Sequence, residues 1–429
     1  MAPSAVTPPQ RHQNQPQQDI DLTAAALELT EAASANGHGN GHDHGTGEAP
    51  LDASLLTRTL TMKPRAVPVD EAAAHAGDET VATDHMVTAA WRSGAGWAAP
   101  ELKPYGPLSL MPTASVLHYA TECFEGLKVF RGYDGRLRIF RPDRNAARMR
   151  MSAARISLPV FDPAQLERLM LELLAVDGPR WLPRDRPGAF LYLRPTLIGT
   201  QPQLGVQVSR QALLYVILTF MPRLDAPAGG MRLHTSPGDM VRAWVGGFGY
   251  AKLGANYGPS LLATQDARRR GFHQILWLYD PAATRAECTE AGASNFFVVW
   301  RRPEDGRREL LTAPLDDKLI LDGVTRRSCL DLARQRLADE DLVVTERKYT
   351  IAELLCADAE GRILEAFAAG TAYFICPVSL IHHRDRDIHI PIGPGDELGD
   401  VTGKLKRWIG DIMYGREDHP WGVVIEEKE

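Results

Sequence analysis

GGFGYAKLGANYGPS, residues 246–260, is the stretch that decides the fold of this chain. Its five glycines allow tight backbone turns and a close approach of the backbone to a ligand. Lys252 stands among them, followed by Asn256 and Tyr257. A lysine shielded from water has a lowered pKa, which frees its amine for Schiff-base chemistry. Taken alone, the stretch is equally typical of a solvated lysine in a glycine-rich loop, so the rest of the chain must decide.

Composition sets the bounds of the problem. The chain has 429 residues, enough for two ordinary domains, and is 44% hydrophobic and 24% charged, as globular proteins are. Its net charge of −6 comes without a basic block, which argues against a nucleic-acid partner. The five cysteines form no C-x-x-C pair, so neither a zinc site nor a disulfide framework is implied. No apolar run is long enough for a membrane span.

Residues 1–60 differ from the rest, being rich in Pro, Gln, Ala and Gly with almost no aromatics. Such a segment buries too little to offset its ordering entropy, so we predict a disordered tail. A mitochondrial presequence would be rich in Arg and poor in acids. Here acidic residues outnumber Arg11 and Arg58, which favours the cytoplasm. His38, His42 and His44 would bind a metal only adventitiously.

Order is expected from residue 61, and the pattern predicts two mixed α/β domains. They cover residues 61–221 and 231–429, with a Pro/Gly-rich linker at 222–230. Asp134-Gly135 predicts a hairpin turn in the first domain. Predicted strands are Ser115–Tyr119, Gly126–Phe130, Ala189–Leu197, Ala212–Phe220, Met231–Thr235, Gln274–Tyr279, Phe296–Trp300 and Glu365–Pro377. Predicted helices are Asn145–Ile156, Gln165–Val176, Ser260–Arg270, Val324–Leu337 and Leu405–Tyr414.

Schiff-base chemistry with pyridoxal phosphate needs an amine, an acid for the ring nitrogen, a phosphate cradle and a carboxylate seat. Glu290 precedes a predicted strand and can reach a site at its end. Gly323-Val324-Thr325 opens a helix, whose free amides bind phosphate, and Arg148 adds a cation. Gly370-Thr371-Ala372 can present amides to a carboxylate. Singly, these residues are equally typical of a surface acid, a helix cap and a solvated arginine.

Together they match a known family. Residues from about Thr83 to Tyr414 resemble the fold-type IV pyridoxal-phosphate enzymes, specifically the branched-chain amino acid aminotransferases of eukaryotic type. The matching stretches, in the order of that family, are FEGLKVFRG, NAARM, LYLRPTLIGT, RAWVGGFGYAKLGANYG, QILWLY, TEAGASNFF, DGVTRR and AGTAYFICPV. The acid is a Glu that follows the lysine, whereas in the aspartate-aminotransferase-like fold an Asp precedes it.

The resemblance implies a role for each site residue. Lys252 would bind the cofactor pyridoxal 5′-phosphate covalently and move the substrate proton, Tyr257 would bond the phenolic oxygen, and Glu290 would pair with the ring nitrogen. The phosphate would be held by Arg148, Val324 and Thr325. The substrate pocket would contain Tyr119, Phe124, Tyr192, Arg194, Thr371 and Ala372. One departure is Ala293, where the family usually has a threonine; Ser294 follows it.

The resemblance therefore implies a homodimer with the cofactor between two domains. The reaction would be reversible transfer of the amino group of leucine, isoleucine or valine to 2-oxoglutarate. Three alternatives stay open: an aminotransferase of a biosynthetic cluster acting on an unusual aliphatic 2-oxo acid, a D-amino acid aminotransferase or aminodeoxychorismate lyase, and a catalytically dead binding relative. The LYLRPTLIGT and AGTAYFICPV stretches argue against the second, and intact Lys252 and Glu290 against the third.

Overall fold

Two β-sheets, each covered by helices, carry the fold. The structure is a computed structural model that describes residues 47–74, 77, 79–221, 226–280, 286–372, 374–393 and 398–428. Within this described part, residues 47–429 form one unit, in which the first sheet has ten strands and the second nine.

Long-range pairing builds the first sheet. Its strands are β1 (Thr57–Arg58), β2 (Ala82–Arg92), β3 (Gly96–Trp97), β4 (Glu101–Pro104), β5 (Glu122–Phe124), β6 (Leu127–Arg131), β7 (Leu137–Phe140), β8 (Phe190–Gly199), β9 (Gln211–Thr219) and β19 (Gly422–Val424). They lie in the order β1-β4-β2-β9-β8-β6-β7-β19, with β3 beside β2 and β5 beside β8. Apart from β1 and β4, the paired strands run antiparallel.

The second sheet holds strands β10 to β18. Their bounds are β10 (Met231–Thr235), β11 (Gln274–Tyr279), β12 (Glu287–Ala291), β13 (Ser294–Arg301), β14 (Arg308–Thr312), β15 (Leu342–Glu346), β16 (Ile363–Gly370), β17 (Phe374–His383) and β18 (Arg386–His389). The order is β12-β11-β10-β17-β16-β13-β14-β15, with β18 beside β17. Since β12 also pairs with β13, the strands from β12 round to β13 close into a ring.

The helices follow the predicted periodicity, with one error. Their bounds are α1 (Glu71–Ala74), α2 (Ser115–Tyr119), α3 (Pro142–Arg155), α4 (Pro163–Trp181), α5 (Leu261–Arg269), α6 (Val324–Arg336), α7 (Ile351–Ala359) and α8 (Asp400–Met413), with 3-10 turns at Ala53–Leu55, Gly254–Asn256, Gly258–Ser260 and Ala338–Glu340. The strand predicted at Ser115–Tyr119 is wrong. A tertiary contact decides the conformation there, because the Ser115 hydroxyl donates to the carbonyl of Gly199.

Buried apolar side chains join the two sheets. One cluster lies between the first sheet and helices α3 and α4, and another fills the second sheet. A third cluster combines Phe130, Phe140 and Phe190 of the first sheet with Phe297 and Phe367 of the second. The predicted division into two domains stays a prediction. The strands do change from one sheet to the other between Thr219 and Met231, and residues 222–225 of the predicted linker lie outside the described residues.

The C-terminal strand returns to the first sheet. Strand β19 pairs antiparallel with β7, so residues 422–424 do not belong to the second sheet, although they follow it in the chain. Close by, Arg131 is fully buried and its guanidinium donates to both carboxylate oxygens of Glu427, at 2.7 and 3.1 Å. The end of the chain thus supplies the partner of a buried charge.

Part of the predicted tail is ordered. Residues 1–46 lie outside the described residues, but Leu51, Ala53 and Leu56 are buried in the core of the first sheet. Asp52 accepts a hydrogen bond from the Ser54 amide, and the Ala53 amide donates to Gln165 on α4 at 2.9 Å. The boundary predicted at residue 60 is therefore too late, because the three buried apolar residues are scattered among polar ones and form no recognisable pattern.

None of the helices in the described part is long and apolar enough to cross a membrane.

Deleting residues 1–60 is expected to lower the melting temperature by several degrees, since the two buried leucines contribute on the order of 3–6 kcal/mol. The control is deletion of residues 1–46, which removes none of these contacts. Differential scanning calorimetry of both proteins is the measurement. Equal melting temperatures for the two deletions would show that residues 47–60 do not stabilise the first sheet.

Candidate active site

Lys252 lies on the segment between β10 and α5, which leaves the second sheet and contacts the first. Its amide donates to the Ser152 hydroxyl on α3 at 2.8 Å, and its carbonyl accepts from the Phe124 amide on β5 at 3.1 Å. A bridge between Cys123 and Leu253 extends this pairing. The backbone on both sides of the lysine is therefore fixed against the first sheet.

Two aromatic rings surround the lysine amine. The Nζ atom of Lys252 lies 3.3 Å from the Tyr257 hydroxyl and 5.1 Å from the centroid of Phe124. The rings of Phe124 and Tyr257 pack against each other with centroids 5.4 Å apart. Asn256 is buried and its amide group donates to the carbonyls of Phe248 and Ala251, which fixes the loop between them. The amine is thus held beside a phenol in a partly buried position.

Glu290 is a buried carboxylate with one oxygen left for another donor. Its side chain is 2% exposed, and Oε1 accepts from Asn295 Nδ2 at 3.1 Å and from the Leu321 amide at 3.0 Å. Oε2 lies 2.8 Å from Arg242 Nη2 but, among the described residues, has no partner with hydrogen-bond geometry. Burial raises the pKa of Glu290, while the charges of Arg242 and Lys252 oppose this.

Arg242 is a site residue that sequence reasoning missed. Its side chain pairs with Glu290 and lines a cavity together with Tyr257, Gly292 and Ala293. Removing one partner of a buried pair is costly because it leaves an uncompensated charge. The sequence does not indicate this contact, because local spacing cannot show that an arginine in a loop pairs with Glu290, 48 residues later.

Arg148 is held in place by Glu125, a second residue that was not predicted. The Glu125 carboxylate accepts from Arg148 Nε at 2.7 Å and from Nη2 at 2.8 Å, and Asn145 Nδ2 donates to it at 2.7 Å. Arg148 Nη1 donates to the carbonyl of Asp322 at 2.7 Å. Since a guanidinium has five N–H groups, these described contacts leave N–H groups of Arg148 for an anion.

The first turn of α6 meets Arg148. This helix begins at Val324 after Gly323, and its first amides have no acceptor within the helix. Gly323 is required here, because a Cβ would lie 2.1 Å from the side-chain oxygen of Asn295. A cavity at this helix end is lined by residues that include Asn145, Val324, Thr325 and Thr371. Free amides, a helix dipole and a guanidinium are groups with which proteins bind phosphate.

The predicted substrate residues divide into three groups. Phe124, Tyr192 and Arg194 share one face of the first sheet, because Phe124 pairs with Thr196 in the β5–β8 register and side chains two residues apart point the same way. Arg194 Nη2 donates to the Tyr192 hydroxyl at 3.0 Å and its guanidinium lies 4.6 Å from the Phe124 ring centroid.

Thr371 and Ala372 form the turn after β16, where the Ala372 carbonyl accepts from Lys128 Nζ at 2.9 Å.

Tyr119 stands apart from both groups. It is 37% exposed at the end of α2, and its hydroxyl accepts from the Gly205 amide at 2.7 Å. The contacts described for Tyr119 do not connect it to Lys252 within the chain.

Ala293 and Ser294 lie on opposite sides of the turn between β12 and β13. Ala293 lines the cavity that contains Arg242 and Tyr257. The Ser294 hydroxyl instead lies against Gly370, since a Cβ on that glycine would be 2.8 Å from Ser294 Oγ. Ser294 thus faces Gly370, which lines the cavity at the start of α6.

The residues present fit pyridoxal phosphate. A partly buried amine, a buried carboxylate whose Oε2 accepts no hydrogen bond among the described residues, and an amide-and-guanidinium site supply the amine, the acid and the phosphate cradle that this cofactor requires. The Tyr257 phenol lies beside the amine. Geometry links these residues, since Arg242 lies 2.8 Å from Glu290 Oε2 and lines the same cavity as Tyr257, whose hydroxyl lies 3.3 Å from Lys252 Nζ.

Comparisons with known proteins agree with this site. The family description "Amino-transferase class IV" matches residues 122–381. The chain is 45% identical over 343 residues to "Branched-chain-amino-acid aminotransferase, mitochondrial" of Schizosaccharomyces pombe, covering 80% of this chain and 78% of that one. It is also 45% identical over 350 residues to the cytosolic protein of that name in Mus musculus, covering 80% of this chain and 86% of that one. Relatives with mitochondrial and with cytosolic names thus both match.

A solved structure confirms the predicted fold class. The branched-chain aminotransferase from Thermoproteus uzoniensis with norvaline superimposes with a TM-score of 0.60 at 25% identity, over 79% of this chain and 99% of that one. The family match confirms the predicted resemblance. This chain therefore belongs to the class IV aminotransferases, within the family of branched-chain-amino-acid aminotransferases.

Proposed function

We propose that this protein is a pyridoxal-phosphate-dependent aminotransferase that exchanges the amino group between leucine, isoleucine or valine and 2-oxoglutarate. The observation that carries the proposal is the buried Glu290 carboxylate, whose Oε2 faces Arg242 Nη2 at 2.8 Å but accepts no hydrogen bond within the described structure. A carboxylate in that state suits the protonated nitrogen of a pyridine ring. The names of the related proteins support the same substrates.

Each cofactor contact is assigned to a residue of the chain. When bound, pyridoxal phosphate supplies a ring that withdraws electrons from the substrate Cα. Glu290 would hold the ring nitrogen protonated, with Arg242 keeping the carboxylate charged. Arg148 and the amides of Val324 and Thr325 would hold the phosphate, and Tyr257 would donate to the phenolic oxygen.

Lys252 would carry the proton. Its amine lies beside the Tyr257 hydroxyl, and its backbone is fixed by Ser152 and Phe124, so the amine can act at one position without moving the loop. There it would remove the Cα proton of the substrate and hold it on Nζ. Such proton transfer by a positioned amine is general acid–base catalysis.

The substrate is assigned to the face of the first sheet beside Lys252. Phe124 would contact an aliphatic side chain, and Arg194 with the Tyr192 hydroxyl would bind the second carboxylate of glutamate. The amides of Thr371 and Ala372 would bind the α-carboxylate. Tyr119 would complete a pocket only from a second subunit, because it is exposed on its own chain.

A homodimer is supported by an exposed apolar patch. The Tyr119–Gly205 hydrogen bond and the bridge between Ala114 and Pro202 bring two segments together. Their exposed apolar side chains are Met111, Leu117, Tyr119, Leu204, Val206 and Val208. A contiguous patch of this kind marks an interaction site.

We predict a mass twice that of the chain in sedimentation equilibrium, and its reduction to one chain by Val206→Glu, since a buried charge opposes association. Lys63→Glu, another exposed position, is the control. A monomeric wild type would overturn the dimer.

For the cellular location, the excess of acidic residues within residues 1–60 favours the cytoplasm. Cell fractionation tests this.

Lys252→Ala is expected to abolish amino transfer while the fold is kept, because no other described amine lies beside Tyr257. Loss of a general base alone costs on the order of 10²–10⁴ in rate. The measurement is glutamate formed from leucine and 2-oxoglutarate, with circular dichroism to check folding. Lys318→Ala is the control. Wild-type turnover in Lys252→Ala would contradict the assignment, and a wild type inactive on leucine would overturn the proposed substrate.

Glu290→Gln is expected to retain the cofactor but to lose most of its activity, since an amide does not hold a ring nitrogen protonated. The measurements are single-turnover rate and the visible absorbance of the bound cofactor. Glu304→Gln, an exposed acid in a turn, is the matched control. An unchanged single-turnover rate in Glu290→Gln would show that another acid serves the ring.

A further inference from the structure

Glu122 points toward the catalytic lysine loop instead of into solvent. Its carboxylate lies against Gly254, two residues after Lys252, where a Cβ on the glycine would be 1.9 Å from Glu122 Oε1. The side chain is half-buried. The glycine therefore leaves the space that the carboxylate occupies. None of the roles assigned above uses this carboxylate.

The strand register places Glu122 on the substrate face. Glu122 pairs with Ile198 and Phe124 with Thr196 in the β5–β8 register. Because alternate residues of a strand share a face, Glu122, Phe124 and Arg194 all lie on the same side of the sheet. The acidic Glu122 and the basic Arg194 thus flank Phe124, the aromatic ring that we assign to substrate binding.

Arg194 needs compensation for its charge. Its Nη2 donates to Tyr192, but its Nε is buried and has no hydrogen-bond partner among the described residues. Burial raises the pKa of Glu122, and Arg194 is the charge that lowers it. Burial likewise raises the pKa of Tyr215, on which Glu122 and Arg194 act in opposite directions. The register agrees, because Tyr215 pairs with Thr196 and so lies on the same face of the sheet as Glu122 and Arg194.

We propose that Glu122 sets the balance between aliphatic and dicarboxylate substrates, because its carboxylate offsets the charge of Arg194 beside the substrate side chain. An aliphatic side chain strips water from Arg194, and an uncompensated charge would then be costly. A dicarboxylate instead supplies its own counter-charge and is repelled by Glu122. This rests on the proposed function and names the residue that lets one pocket accept both substrate classes.

The test compares binding of two unreactive analogues to the cofactor-loaded enzyme. Isothermal titration gives the Kd of glutarate, a dicarboxylate, and of 4-methylpentanoate, an aliphatic acid. Glu122→Gln is expected to lower the first Kd and raise the second, changing their ratio by about tenfold, or about 1.4 kcal/mol. Glu122→Asp, which keeps the charge, is expected to stay nearer the wild-type ratio, and the exposed Glu101→Gln to match it.

A double variant separates charge compensation from a structural role. Glu122→Gln with Arg194→Gln removes both charges, so it is expected to recover the wild-type Kd for 4-methylpentanoate while losing glutarate binding. Glu122→Ala replaces Glu122→Gln if that variant does not fold. A Kd ratio unchanged in Glu122→Gln, or both Kd values raised alike and not recovered in the double variant, would overturn the proposal. Failure of the proposed function would appear separately, as a wild type that does not turn over leucine.

Discussion

The pairing of the lysine loop with strand β5 is the contact on which the site depends. Residues after β10 leave the second sheet, and the hydrogen bond from the Phe124 amide to the Lys252 carbonyl fastens them to the first. The bridge between Cys123 and Leu253 and the contact with Ser152 hold the same loop. Groups contributed by the two sheets, such as Phe124 and Glu290, meet around Lys252 because this loop passes between them.

Two ion pairs, each of a carboxylate and a guanidinium group, hold the buried charges of the site. Glu125 with Arg148 and Glu290 with Arg242 place two carboxylates and two guanidinium groups where water is largely excluded. Such pairs contribute little net stability, since desolvation offsets their attraction. Their value lies in geometry: each carboxylate fixes a neighbour and leaves one direction open. For Arg148 the open direction faces the helix terminus, and for Glu290 it is Oε2, which lies 2.8 Å from Arg242 but accepts no hydrogen bond among the described residues.

Local patterns in the sequence predicted most of the strands and helices of the fold. The strands predicted at Met231–Thr235 and Gln274–Tyr279 have the bounds observed, because their apolar runs end at turn residues. Lys252 and Tyr257 lie five residues apart in one loop, so local spacing was enough to place them together. The strand predicted at Ser115–Tyr119 is wrong, since this segment is a one-turn helix whose Ser115 hydroxyl donates to Gly199, far along the chain. Arg242 and Glu125 were missed for the same reason, since sequence does not show which charges fold onto each other.

The return of β19 to the first sheet has a consequence for biosynthesis. The strands from β1 to β9 leave the ribosome first, yet β7 gains its outer neighbour only when residues 422–424 emerge. Arg131 likewise cannot pair with the Glu427 carboxylate until residue 427 has been synthesised. Domains usually fold in the order of their synthesis. Here completion of the earliest sheet is deferred until a segment 296 residues beyond Arg131 has been made, so the first sheet cannot finish folding before the second has been synthesised.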